Sequence, residues 1–62
     1  MKLIVFEDPN HGFGARLQIK PTKTLILWEN LNQSQHETKL NNLLNEVVIP
    51  VEDLTGKGYD QQ

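Results

Sequence analysis

The sequence predicts an α+β fold: a small three-stranded, mainly antiparallel sheet in the order β-β-β-α, with one helix packed on one face. Three observations carry this. Residues 13–20 alternate strictly between apolar and polar, the period of a strand with one buried face. Residues 40–48 instead repeat apolar side chains at helical spacing behind a recognisable helix start. The length, 62 residues, allows a single domain and no more.

The first element is the short apolar run of residues 2–7. Asp8-Pro9-Asn10-His11-Gly12 closes it, because proline fixes φ while Asn10 and Gly12 accept positive φ. In the second, Phe13, Ala15, Leu17 and Ile19 alternate with Gly14, Arg16, Gln18 and Lys20, so the former set forms the inner face. Pro21 and Thr22 end that strand, and residues 24–29 (Thr-Leu-Ile-Leu-Trp-Glu) make a third that is apolar on both faces. Ser34 and Glu37 form a capping box for a helix over 35–48. Its apolar stripe is Leu40, Leu43, Leu44, Val47 and Val48. His36 then falls in an exposed first turn, and Pro50 stops the helix by biasing Ile49 away from helical ψ.

After Pro50 two readings stay open. Ile49 and Val51 make an edge strand, or Pro50 starts a short helical turn in which Glu52 and Asp53 meet the helix dipole. Residues 1–54 are expected to form the domain and residues 55–62 a flexible tail.

Composition excludes several classes. Six cations stand against eight acidic groups, a formal charge of −2 at pH 7, so no strongly basic surface exists. The charges are uneven. Residues 1–28 hold Lys2, Arg16, Lys20 and Lys23 against Glu7 and Asp8, whereas residues 29–62 are dominated by Glu29, Glu37, Glu46, Glu52, Asp53 and Asp60. There is no cysteine, which removes disulfides and thiolate metal sites and fits a cytoplasmic protein. The apolar run Leu3–Phe6 is too short for a signal h-region or a membrane span, so no membrane partner is expected.

Chemistry is sparse as well. The only serine, Ser34, is assigned to the helix cap; a carboxylate lies near each of the two histidines, but His11 decorates a turn and His36 a first helical turn, and so short a chain cannot enclose a water-excluding pocket of ordinary ligand size. No paired His or Cys spacing suits a metal. Gly56-Lys57-Gly58 lacks the frame of a phosphate loop, and Gly12-Phe13-Gly14 opens a strand rather than a helix. No catalytic residue, metal or cofactor is therefore expected, and the chain reads as a non-enzyme.

Interaction is the reading that remains. One helix covers one sheet face, yet the first and third strands are apolar on both. Lys2 and Arg16 prefer water, which turns Leu3 and Val5 inward and leaves Ile4 and Phe6 outward. The expected docking set for a protein partner is Ile4, Phe6, Arg16, Ile26 and Trp28, since an exposed apolar patch of several hundred Å² marks an interface. The competing possibility is that Ile49–Leu54 folds back over that face. A core this small without staples also predicts a homodimer. The function read from the sequence is thus a small cytoplasmic binding protein, a regulator or inhibitor by size class. The alternative is a nucleic-acid-binding regulator that uses Arg16, Lys20 and Lys23 on a basic sheet face.

Overall fold

A computed structural model describes residues 1–10 and 12–55. Strands β1 (Lys2–Asp8), β2 (Gly12–Lys20) and β3 (Lys23–Leu31) precede helix α1 (Gln33–Glu46) and strand β4 (Val51–Asp53). The sheet order is β3-β2-β1-β4. The first three strands form the antiparallel meander, and β4 adds parallel to β1, so the α+β class holds with a mixed, four-stranded sheet. The expected tail, apart from Thr55, lies outside the described residues, as does His11 of the first turn.

The segment around Pro50 resolves as a strand. The Leu3 N–H donates to the Pro50 carbonyl at 2.9 Å, and the Leu54 N–H donates to the Val5 carbonyl at 2.8 Å. Proline has no N–H to contribute, so it stands just before the ladder, where only its carbonyl is required. Ile49 is buried in the core cluster, so residues 49–53 enter the fold rather than crossing the outer face.

The helix begins two residues earlier than the capping box suggests and ends two residues sooner. Asn32 is the N-cap: its side-chain oxygen accepts from the Gln35 N–H at 2.8 Å. Asparagine is at least as good a cap as serine, and Ser34 sits inside the first turn, where its carbonyl accepts from the Thr38 hydroxyl. At the other end the Val47 N–H donates to the Leu43 carbonyl, but Val47 itself is extended, at φ −134° and ψ 149°. Val47, Val48 and Ile49 are all β-branched and lead into proline, so the backbone leaves the helix there. Val48 is consequently 87 % exposed instead of completing the stripe.

The core lies between α1 and one sheet face. Leu3, Val5, Ala15, Leu40 and Ile49 form its buried centre, flanked by Leu17, Trp28, Leu43, Leu44 and Val51. Register explains the sharing of faces, since Leu3 pairs with Leu17 and Val5 with Ala15. Phe13 is buried on the same side, whereas Ile19 is half-buried and outside the cluster, beside an irregularity between Gln18 and Lys20.

Strand β3 departs from simple alternation. Arg16 pairs with Ile26 and Ala15 with Trp28, so Leu27 is an extra residue on β3. A second shift follows before the Phe13–Leu31 pair, and Asn30 takes a left-handed φ of 64° within it. Asparagine tolerates that conformation far better than a branched residue would. Opposite, Gly12 has a φ of 85°, and a Cβ there would stand 2.7 Å from the Leu31 carbonyl oxygen.

Candidate interaction face

The face opposite the helix is built row by row from the register. Glu52 on β4, Ile4 on β1, Arg16 on β2 and Ile26 on β3 lie side by side across the whole sheet. The next row along β1 and β2 pairs Phe6 with Gly14. A Cβ on Gly14 would run into the Phe6 ring and stand 2.9 Å from the Trp28 carbonyl oxygen. Glycine thus leaves room for the ring to lie across the strand. The Arg16 guanidinium carbon sits 4.6 Å from the Phe6 ring centroid, a cation–π contact that fixes both side chains on this surface. At the opposite margin Lys2 and Glu52 form an ion pair of 2.7 Å, both half-exposed, which contributes little to stability.

Beside this cluster runs an open groove of about 280 Å³, lined by Phe6, Asp8, Gly12, Arg16, Glu29 and Asn30. Its walls owe their shape to two local devices. Asp8 accepts from the Asn10 N–H at 2.9 Å, which tightens the β1–β2 turn, and Asn30 bends β3 through its positive φ. Ile26 is 57 % exposed, and Ile4 and Phe6 are half-buried. Four of the five residues expected for protein docking, Ile4, Phe6, Arg16 and Ile26, therefore share one surface.

Trp28 does not join them. Strict alternation places it with Ile26, but the extra residue Leu27 inverts the phase and turns the indole toward the helix. There its N–H donates to His36 Nδ1 at 2.9 Å, so the indole finds its acceptor on the helix. The Phe13 ring stacks on the His36 imidazole at a centroid separation of 5.0 Å, and Trp28 meets it edge-on at 6.0 Å.

His36 is fully buried, contrary to an exposed first turn. Its signal was present in the sequence, because His36 stands four residues before Leu40 and in phase with the apolar stripe. Burial lowers its pKa below the ordinary histidine value, opposed by the negative charges of Glu37 and Asp53. A neutral imidazole that accepts at Nδ1 carries its proton on Nε2, which makes this group a structural hydrogen-bond acceptor.

The basic residues are less gathered. Lys20 and Lys23 pair across the β2–β3 turn, while Arg16 lies four residues away with its charge on Phe6. Among the described residues no group of three or more His, Cys, Asp or Glu side chains could hold a metal ion, and no helix is long and apolar enough to cross a membrane. No protein-family model, curated protein or solved structure matches the chain.

Proposed function

We propose that the chain is a non-catalytic cytoplasmic binding protein, a regulator or inhibitor, that docks on another protein through its outer sheet face and acts as a homodimer. The observation that carries the docking reading is the single surface formed by Ile4, Phe6, Arg16 and Ile26, on the side of the sheet that the helix does not cover. An arginine held on an aromatic ring and flanked by aliphatic side chains has the composition of interface centres, where such residues dominate binding energy. The absence of cysteine supports the cytoplasmic assignment.

The nucleic-acid alternative draws on Lys20 facing Lys23 across the turn. It is the weaker of the two. Arg16 is engaged with Phe6, and the tryptophan that would stack on bases points toward the helix.

Capture of partners from host lysate by the intact protein separates these readings. Arg16→Ala and Ile26→Ser, each with an unchanged circular dichroism spectrum, are expected to release the captured protein, whereas Lys39→Ala on the helix is not. Capture that survives a rise from about 50 to 200 mM salt supports apolar docking. Loss of binding with salt, together with recovery of nucleic acid, would favour the alternative. Capture unaffected by both face variants overturns the docking face.

A further inference from the structure

Helix α1 is fastened to the sheet by few side chains. Only His36 and Leu40 of the helix are fully buried, one turn apart. Leu40 belongs to the aliphatic core, whereas His36 sits among rings, stacked on Phe13 and edge-on to Trp28. Among the described residues, the 2.9 Å bond from the Trp28 N–H to His36 Nδ1 is the one side-chain hydrogen bond between α1 and the sheet. An indole nitrogen can only donate, so this bond exists only while Nδ1 carries no proton. The anchor at the start of α1 is therefore a titratable group in its neutral form, and the anchor at its middle cannot titrate.

We propose that Trp28 and His36 form an acid-sensitive latch: a proton bound at His36 Nδ1 breaks the bond to the indole and releases residues 33–37 from the sheet, while Leu40 holds the rest of α1. The proton comes from solvent and leaves a full positive charge on the imidazole. Two donors, Nδ1–H and the Trp28 N–H, then face each other where a donor met an acceptor. Stacking on Phe13 supplies no acceptor in exchange. A charged imidazole at a fully buried position is costly, and opening the first turns of α1 returns it to water. The surrounding charges do not reverse this. Glu37 on the same helix and Asp53 on β4 favour the cation, but burial is the larger influence. From β1 comes Glu7, which pairs with Phe13 and is exposed, while β2 and β3 meet the imidazole with rings. Opening uncovers Phe13 and Trp28, so acid converts part of the inner face into exposed apolar surface. The latch is independent of docking on the outer face and of self-association.

Hydrogen exchange of the full chain, read by NMR at about pH 7.5 and 5.5 with and without dilute urea, tests it. Trp28 is the only tryptophan, so its indole N–H gives one resonance that reports the latch directly. The indole N–H and the amides of residues 36–39 are expected to be less protected than those of β1 and β2 and insensitive to dilute urea, as in a local opening. Their protection should fall severalfold between the two pH values, up to the limit of about tenfold set by one proton and an ordinary histidine pKa in the open state. His36→Asn is expected to abolish that fall, and His11→Gln to leave it intact. In the wild type the His36 ring resonances should titrate below 6.5, and Trp28→Phe, which keeps a ring but removes the donor, should raise that midpoint. Protection and urea dependence shared with β1 and β2 at both pH values would mean that α1 leaves only when the whole chain unfolds, which overturns the latch. So would a local opening that ignores pH, one that responds equally in His36→Asn, or a His36 midpoint unmoved by Trp28→Phe.

Discussion

The two faces of one sheet are made from the same three strands and have opposite characters. Toward α1, Leu3, Val5 and Ala15 are fully buried, and three rings, Phe13, Trp28 and His36, lock together at the end of the helix. On the other side the aliphatic and aromatic groups are spaced by charge: Ile4 and Ile26 flank Arg16, which lies on Phe6. The difference teaches where this small protein keeps its stability. Residues toward the helix hold the fold, and residues on the outer face contribute little to the core.

The largest expected effect is on the helix side. Trp28→Ala removes a packed aromatic ring and the donor to His36, and is expected to cost about 3 kcal/mol. Leu40→Ala, in the same core, should cost a similar amount. Urea denaturation of each variant against wild type measures both. If Trp28→Ala costs less than a third of Leu40→Ala, the indole is not part of the core and the contrast between faces weakens.

The next effect concerns pH. The folded-state pKa of His36 is lowered, so the unfolded chain binds its proton more tightly than the folded one. Stability is therefore fully present above the unfolded value of about 6.5 and falls as pH drops below it, down to the folded pKa. For one proton the slope cannot exceed about 1.4 kcal/mol per pH unit. His36→Asn keeps a side-chain acceptor for Trp28 and has no titration. Denaturation midpoints measured at about pH 7.5 and 5.5 should differ in the wild type and converge in the variant. Equal pH dependence in both would place the acid-sensitive group elsewhere.

A smaller effect is expected from deleting Leu27. The deletion leaves Ile26 outward and Trp28 toward the helix on an unbulged strand, so the cost should be about 1 kcal/mol. A collapse comparable to Leu40→Ala would mean that the bulge itself, rather than the phase it sets, supports the core.

The smallest effect belongs to the outer face. Arg16→Ala loses an exposed cation–π contact and should change stability by about 0.5 kcal/mol, measured by thermal melting. A loss several times larger would make Arg16 a structural residue and remove it from the binding surface.

Much of this arrangement is legible in the sequence, and the parts that are not share one cause. The alternation of residues 13–17 and the stripe Leu40-Leu43-Leu44 determine the inner face and the helix, because each is a local period that burial must satisfy. The preference of Lys2 and Arg16 for water likewise determines that Leu3 and Val5 turn inward and Ile4 and Phe6 outward. Three residues of the candidate face, Ile4, Phe6 and Arg16, follow from those rules; the outward Ile26 rests on the β2–β3 register.

Only the tertiary structure decided the rest. Trp28 crosses to the helix side because one extra residue shifts the phase of β3, and a bulge leaves no period in the sequence to betray it. His36 is buried because Trp28 and Phe13 arrive from two different strands to enclose it, contacts between residues far apart along the chain. Residues 51–53 become a strand because β1 offers an open edge, and a three-residue segment has too few side chains to declare a conformation unaided. Local periodicity, in this protein, determines which elements form; long-range pairing decides which face each residue reaches, because in a strand a single added residue exchanges inside for outside.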